Sequence, residues 1–168
     1  MMKILFLGPD KEYQKTIIKF LLKQGNIVDR FEDQLNYNSI VEAKYNYIIS
    51  FGYRHIIQKK ILNYFDGKSI NLHISYLPWN RGADPNLWSI LEDTLKGVTI
   101  HQIDEGIDTG KIYYQKEVSF SENETLSSSY KILCSEIVSL FIKNWSKVES
   151  KELKPEKQRG PGTYHKTS

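Results

Sequence analysis

The sequence predicts an α/β domain in which a parallel sheet is flanked by helices on both faces. In the first half of the chain, short apolar runs of strand character alternate with segments of helical periodicity, and this alternation is typical of a parallel sheet. A length of 168 residues and a hydrophobic fraction of 40% fit one domain with a substantial core. The single cysteine, Cys134, excludes an intramolecular disulfide framework and a cysteine-based zinc site.

The first half of the chain supplies the repeating strand and helix pattern. Four apolar runs of strand length are bounded by turn or polar residues, and they are predicted at residues 3–8, 26–31, 47–51 and 69–75. Two segments between them are predicted as helices, at residues 12–24 and 56–65. The alternation places these four strands in one parallel sheet.

The second half changes character. Two further strands are predicted at residues 98–103 and 112–118. The strongest helix follows at residues 126–148, where Cys134 belongs to the apolar stripe and is expected to be buried, and residues 121–124 fit a capping box for it. The polar segment from Ser150 is punctuated by Pro and Gly. We therefore expect a domain at residues 1–149 and an extended polar tail at residues 150–168.

Charge and hydropathy exclude several classes of protein. The net charge of +3 comes from residues 147–168, which hold six Lys and Arg against three Asp and Glu, so the body of the domain is neutral. A neutral body argues against a large nucleic-acid footprint. No apolar stretch is long enough to span a membrane, and the N-terminal apolar run is too short for a signal peptide, so the protein is expected to be cytoplasmic.

Asn71 and His73 form the first candidate site. They lie two residues apart in the segment NLHISYLP (71–78), so a strand would project both side chains from one face. We expect them at the carboxyl end of a strand, where open α/β sheets bind ligands. A neighbouring amide and imidazole can polarise a carbonyl and stabilise the oxyanion formed when it is attacked. Taken alone, the pair also fits a structural histidine.

The second candidate site is an acidic loop between two predicted strands. The segment HQIDEGIDTG (101–110) carries Asp104, Glu105 and Asp108. One of these carboxylates could reach over the sheet end, orient the His73 imidazole and relay protons. The alternative is a hairpin loop whose acids are merely solvated, and this alternative is strongest for Glu105.

A third segment, RGADPNLW (81–88), follows closely and could hold a polar substrate. Arg81 can bind an anion, or it can brace the loop through an ion pair with Asp84 or through a backbone carbonyl. The alternative for the whole segment is a helix start, with Asp84 as the N-cap, Pro85 at the first helical position and Trp88 in the core. Both readings can hold at once.

Together, these segments resemble the formyltransferase family that uses 10-formyltetrahydrofolate, which includes glycinamide ribonucleotide and methionyl-tRNA formyltransferases. The resemblance runs from about residue 48 to residue 118, in the order and spacing of the family. The catalytic asparagine, histidine and aspartate of the family fall on Asn71, His73 and Asp108. The resemblance implies a Rossmann-like, mostly parallel sheet and the transfer of a formyl group to a primary amine, with no metal.

The resemblance also implies a folate pocket. The loop at residues 51–55 resembles the segment that lines this pocket in the family, and the pterin would lie between that loop and the backbone of residues 102–108. The residues that the resemblance assigns to 10-formyltetrahydrofolate are Phe51, Gly52, Tyr53, Arg54, His55, Ile56, Gln102, Asp104 and Gly106.

Finer details resemble the sugar N-formyltransferases of bacterial glycan biosynthesis. The stretch LPWNRGADPNLW (77–88) is closest to those enzymes, and GTYHK (162–166) resembles a segment that follows their core. This implies a nucleotide-linked amino sugar as acceptor, contacted by Arg81, Asp84, Asn86 and Trp88. The alternatives are glycinamide ribonucleotide or aminoacyl-tRNA as acceptor, or a non-catalytic folate-binding module. An apolar face on residues 126–148 would allow a homodimer if it is exposed, and the alternative is that it packs on its own sheet.

Overall fold

The computed structural model describes residues 1–167 and contains a central sheet of six strands. In chain order, the strands are β1 (Lys3–Leu7), β2 (Ile27–Phe31), β3 (Tyr47–Ser50), β4 (Ser69–His73), β5 (Arg81–Gly82), β6 (Gly97–Gln102), β7 (Ile112–Glu117) and β8 (Tyr164–His165). The helices are α1 (Glu12–Lys23), α2 (Tyr37–Ala43), α3 (Lys59–Phe65), α4 (Pro85–Leu91) and α5 (Leu126–Glu149).

The sheet has the strand order β2-β1-β3-β4-β6-β7. β2, β1, β3 and β4 are parallel, whereas β6 runs antiparallel to both β4 and β7. The short strands β5 and β8 form a separate parallel pair. The predicted α/β class with a mostly parallel sheet is therefore confirmed, and both antiparallel pairings involve β6, from the second half of the chain.

Helices cover both faces of the sheet, as the strand and helix alternation predicts. One face packs against α1 and α5 through side chains such as Ile17, Leu133 and Phe141. The other face packs against α2 and α3 through Ile40 and Ile61. The apolar stripe of α5 is buried against its own sheet, which is the alternative that the sequence left open to a dimer face.

Two local expectations about helices were wrong. The helix predicted from residue 56 begins at Lys59, since residues 56–58 are not helical and Gln58 is extended. A further helix, α2, was not predicted, because it has seven residues and buries only Ile40. The capping box of α5 is not at residues 121–124. It joins Thr125 and Ser128, each of whose side chains bonds the backbone N–H of the other.

Of the residues predicted as a polar tail, 150–167 are described and return to the domain, and residue 168 lies outside the described residues. Glu156 pairs with Ile112 at the edge of the sheet through backbone hydrogen bonds of 2.7 and 2.9 Å. Further on, β8 lies beside β5, where Arg81 N–H donates to the carbonyl of Thr163 at 3.0 Å. This C-terminal segment, residues 156–165, therefore contacts the part of the domain that follows β4.

Within residues 1–167, no helix combines the length and the apolar character that crossing a lipid bilayer requires.

Candidate active site

The candidate site lies where β4 ends beside β6. Asn71 is in register with His101 on the antiparallel neighbour, so their side chains share one face of the sheet. His73 follows two residues later on that face. Asp108 reaches the same place from the loop that connects β6 to β7. The topology thus brings together the three residues that the resemblance assigned to catalysis, and it adds His101.

The carboxylate of Asp108 is the centre of this cluster. Its Oδ1 atom accepts a hydrogen bond from Asn71 Nδ2 at 3.1 Å and lies 3.3 Å from His101 Nε2. Its Oδ2 atom accepts from the backbone N–H of Gly82 at 2.9 Å and lies 3.6 Å from His73 Nδ1. The side chain is only 12% exposed, so these contacts operate with little competition from water.

The environment of Asp108 favours its ionised form. Burial raises the pKa of this carboxyl, but the charges of the His73 and His101 rings and hydrogen bonds from His101 and the Gly82 N–H outweigh burial. The pKa of Asp108 consequently lies well below its usual range. At neutral pH the carboxylate is therefore a fixed negative charge beside two imidazole rings.

The partners of His73 define which of its nitrogens carries a proton. Nε2 lies 2.9 Å from the backbone carbonyl of Asn80, and because a carbonyl can only accept, Nε2 must donate. Nδ1 then faces Asp108 and is the nitrogen that can take up a proton during a reaction. His73 is buried, with 7% of the residue exposed, so its ring is held in this orientation.

His101 lies in the candidate site, although the sequence analysis assigned it no role. Its Nδ1 atom donates to the carbonyl of Gln102 at 2.7 Å, and its Nε2 atom lies 3.3 Å from both Asn71 Nδ2 and Asp108 Oδ1. The register of β4 against β6 places His101 there, and the sequence does not show that residues 71 and 101 lie opposite each other.

One cleft lies between α3 and the acidic loop, and it includes part of the 102–108 backbone predicted to contact folate but none of the loop at residues 51–55. Its volume is about 390 Å³, and it is lined by Leu62, Asn63, Asp66, Gly67, Ile103, Asp104 and Glu105. Lys59 Nζ contacts Glu105 Oε1 at 2.9 Å, so the start of α3 lies directly beside this loop. Within the loop, Asp104 accepts hydrogen bonds from Gly106 N–H and Thr109 Oγ1.

Among the residues predicted to bind folate, Asp104 lines that cleft. Arg54, His55 and Ile56 expose their side chains in the loop before α3. Phe51 is buried, however, and Gly52 follows it at a φ of +77°. Tyr53 donates to the carbonyl of Asp33, and Gln102 donates to the Tyr113 hydroxyl. The side chains of Phe51, Tyr53 and Gln102 are thus engaged within the protein.

A second cleft, about 570 Å³ in volume, is lined by Ile74, Asp84, Pro85, Asn86, Leu87, Leu126, Ser127 and Tyr130. Two of the four residues predicted to contact the acceptor, Asp84 and Asn86, therefore line one cleft. Asp84 occupies the N-cap position of α4 at a φ of +49°, and its side chain makes no capping hydrogen bond. The expected Asp84 cap is therefore wrong, while Pro85 does start the helix.

The other two predicted acceptor residues face the C-terminal segment. Arg81 does not pair with Asp84, and its guanidinium donates twice to Gln158 Oε1, at 3.1 and 2.7 Å. Trp88 is not in the core: it is partly exposed and stacks on His165 with ring centroids 4.0 Å apart. Asn86 is buried and donates to the carbonyl of Leu126 and to Ser129 Oγ.

The sequence profile of the family described as formyl transferase matches residues 5–143 of this chain. The crystal structure of the formyltransferase PseJ from Anoxybacillus kamchatkensis, in complex with UDP-4,6-dideoxy-4-formamido-L-AltNAc and tetrahydrofolate, is 46% identical in sequence. It superimposes with a TM-score of 0.92 and covers 98% of this chain and 85% of that chain.

More distant relatives have the same fold and different acceptors in their names. An N-formyltransferase from Helicobacter canadensis, in complex with folinic acid and dTDP-3-aminofucose, is 23% identical, with a TM-score of 0.82 over 99% of this chain and 71% of that chain. A methionyl-tRNA formyltransferase from Thermodesulfovibrio yellowstonii is 37% identical over 122 residues, or 70% of this chain. The chain spans 39% of the length of that relative.

Proposed function

The chain belongs to the formyl transferase family, and we propose that it transfers the formyl group of 10-formyltetrahydrofolate to the primary amine of a nucleotide-linked amino sugar. The observation that carries this proposal is the convergence of Asn71, His73 and an ionised Asp108 at the end of β4. The domain also has two clefts, which provide separate places for a donor and an acceptor.

The cleft beside the acidic loop fits the folate donor. Leu62 and Ile103 offer apolar contact to a flat ring, while Asp104 and Glu105 offer acceptors for the amino and N–H groups of a pterin edge. Arg54 and His55 are exposed nearby and are the groups we propose for the negatively charged part of the folate.

The reaction requires a neutral amine, a route for its proton and a group that stabilises developing negative charge. When bound, 10-formyltetrahydrofolate supplies the formyl carbon, which forms a bond to the acceptor nitrogen as its bond to the folate nitrogen breaks. His73 Nδ1 takes the proton that the amine loses and returns it to the leaving nitrogen. Asp108 stabilises the imidazolium formed in between. Asn71 Nδ2 donates to the developing oxyanion, exchanging its 3.3 Å contact with His101 for this stronger one.

The second cleft supports an amino sugar as acceptor. Its apolar lining, which includes Ile74, Leu87 and Tyr130, suits the ring and methyl carbons of a deoxygenated sugar, and Ile74 directly follows His73. The 46% identity to PseJ, whose complex holds a UDP-linked 4-formamido sugar, supports the same class of acceptor.

Methionyl-tRNA is the second candidate acceptor, because the relative from Thermodesulfovibrio yellowstonii is 37% identical. The neutral body of the domain favours the small acceptor, since tRNA binding draws on a basic surface. This protein should therefore show a large preference for the sugar nucleotide.

The test is a direct competition between acceptors. The purified protein is incubated with 10-formyltetrahydrofolate and UDP- or dTDP-linked 4-amino and 3-amino sugars, glycinamide ribonucleotide or methionyl-tRNA, and formylated products are measured by mass spectrometry. Product from an amino sugar at the highest kcat/KM supports the proposal. Preferred formylation of tRNA would replace it with the second candidate. Folate binding without any product would leave only a binding module.

A further inference from the structure

The side chain of Gln158, in the C-terminal segment, connects three parts of the domain. Its Nε2 atom donates to the backbone carbonyls of Asp108 at 2.8 Å and Gly110 at 2.9 Å. Its Oε1 atom accepts both hydrogen bonds from Arg81. A primary amide has two N–H donors and two lone pairs, so every hydrogen-bonding position of Gln158 is used. These four hydrogen bonds to three residues hold the Gln158 side chain in a single orientation.

The two carbonyls that Gln158 binds belong to the loop that carries the catalytic carboxylate. Asp108 has a φ of +53°, which a residue with a side chain rarely adopts and which the surroundings must enforce. At Gly110 the loop passes so close to β6 that an added Cβ atom would lie 1.8 Å from the carbonyl of Gln102. Gln158 binds on both sides of this tight turn and thereby fixes the direction in which the Asp108 side chain points.

The same C-terminal segment also holds the partners of the catalytic side chains. β8 pairs with β5, and β5 contains Gly82, whose N–H donates to Asp108 Oδ2. One residue before β5, the N–H of Asn80 donates to Thr163 Oγ1 at 2.8 Å, while the carbonyl of Asn80 accepts from His73 Nε2. The segment therefore contacts the supports of both His73 and Asp108.

We propose that Gln158 is a positioning residue of the active site: it holds the Asp108 loop so that the carboxylate faces His73, and the segment after α5 is thereby part of the catalytic apparatus. This inference rests on the proposed function for its catalytic consequence. Its structural content, the fixed Asp108 loop, can be measured without any turnover.

Two substitutions separate the donor half of Gln158 from its acceptor half. Gln158→Glu keeps an oxygen for Arg81 but places a negative oxygen against the carbonyls of Asp108 and Gly110. Gln158→Met keeps a similar shape and loses all four hydrogen bonds. Both variants should lower kcat by about 10- to 100-fold, because a misplacement on the order of 1 Å at reacting groups has that effect. The acceptor KM and the tetrahydrofolate Kd should change little.

The control and a second measurement make the test decisive. Lys157→Ala changes the exposed neighbour of Gln158 and should leave kcat unchanged. Turnover is expressed per folded molecule, using circular dichroism to measure the folded fraction. Amide hydrogen exchange at Gly82, whose N–H is held by Asp108, should become faster in both Gln158 variants and not in Lys157→Ala.

Wild-type kcat in Gln158→Glu would overturn the proposal, as would unchanged exchange at Gly82 or a loss of activity that only follows the folded fraction. If the wild-type protein formylates none of the acceptors, the proposed function fails, and hydrogen exchange still decides whether Gln158 holds the Asp108 loop.

Discussion

The backbone N–H of Gly82 donates to Asp108 Oδ2 at 2.9 Å, across 26 positions of sequence. This contact joins β5 to the loop between β6 and β7, and the backbone N–H thereby orients the carboxylate of Asp108. Since β5 is held by β8, the orientation of Asp108 depends on residues close to the C-terminal end of the chain. We test the roles of Gly82, His73, Asp108 and Asn86 by substitution.

Gly82→Ala should disrupt the support of Asp108. Gly82 has a φ of +88°, and a Cβ atom there would lie 2.2 Å from the carbonyl of His165 on β8. The substitution should separate β5 from β8, withdraw the N–H from Asp108, and lower kcat by about 10-fold or more, as expected for misplaced reacting groups. Steady-state turnover and thermal unfolding of the variant check this.

Gly160 serves as a control that separates the steric clash of an added Cβ atom from the cost of a positive φ. Gly160 has the same φ of +88°, but nothing lies within 4 Å of its added Cβ atom. Gly160→Ala should therefore show only the left-handed backbone cost of about 1–2 kcal/mol, with near-normal kcat. Equal losses of kcat in the two variants would show that the β5–β8 pairing does not support catalysis.

His73→Asn tests whether this histidine is catalytic or structural. The variant removes the nitrogen that faces Asp108, so formyl transfer should fall by about 10²- to 10⁴-fold, the range expected for loss of a general base. Tetrahydrofolate binding and the folded state should persist, as measured by titration and circular dichroism. The matched control is His165→Asn, because that ring contacts Trp88 and Glu92 and not Asp108. Near-normal turnover in His73→Asn would make the histidine structural.

Local patterns predicted most of the fold and the shared strand face of Asn71 and His73. β1 and β3 are buried on both faces of the sheet, so most of their residues are apolar. These continuous apolar runs are easy to recognise as strands in the sequence. The spacing of Asn71 and His73 predicted a shared strand face because side chains alternate with a period of two. These features depend on near neighbours in the sequence, and near neighbours are what a sequence shows.

The contacts that the sequence analysis did not predict depend on pairing between residues far apart in the chain. His101 entered the site because β6 lies antiparallel beside β4, and no local signal predicts that register. Gln158 lies 50 positions from Asp108, within a polar segment whose composition indicates only an extended chain. For Arg81 the sequence left open an anion contact or a loop-bracing contact to Asp84 or a backbone carbonyl, and the structure shows its guanidinium on Gln158 instead. That partner lies 77 positions away, so no local pattern indicates it.

The ionised carboxylate of Asp108 should make the folded state sensitive to acid. Its pKa in the folded state lies well below the value of about 3.9 expected for an unfolded chain. A lowered folded pKa means that the unfolded state binds the proton more readily, so this carboxylate stabilises the fold above about pH 4. That contribution is lost as the pH falls from the unfolded pKa through the folded one.

The measurement is urea unfolding of the wild-type protein and of Asp108→Asn between pH 7 and pH 3. The difference in free energy of unfolding between them should be constant from pH 7 to about pH 5 and should shrink at lower pH. A difference independent of pH down to pH 3 would mean that the folded environment does not favour the charged form. Glu105→Gln is the control, since Glu105 is an exposed acid whose only ion pair is with Lys59.

Asn86 has two roles that one substitution can distinguish. It lines the cleft proposed for the acceptor, and its amide also joins α4 to α5 through Leu126 and Ser129. Asn86→Ala should therefore lower the free energy of unfolding by about 1–3 kcal/mol, as expected for two buried hydrogen bonds. If the cleft holds the sugar, the variant should also raise the acceptor KM while tetrahydrofolate binding is unchanged.

The control for Asn86 is Ser127→Ala, because Ser127 lines the same cleft from an exposed position at the start of α5. Its loss should leave the unfolding free energy within about 0.5 kcal/mol, as is usual for surface substitutions. Acceptor saturation curves and folate titrations for both variants then separate contact with the sugar from support of the helix. A weaker acceptor affinity in both variants, with stability lost only in Asn86→Ala, places the sugar in this cleft. Unchanged acceptor kinetics in both, or folate binding lost in parallel, would place the acceptor elsewhere, since groups that position the acceptor act on its KM before they act on the donor.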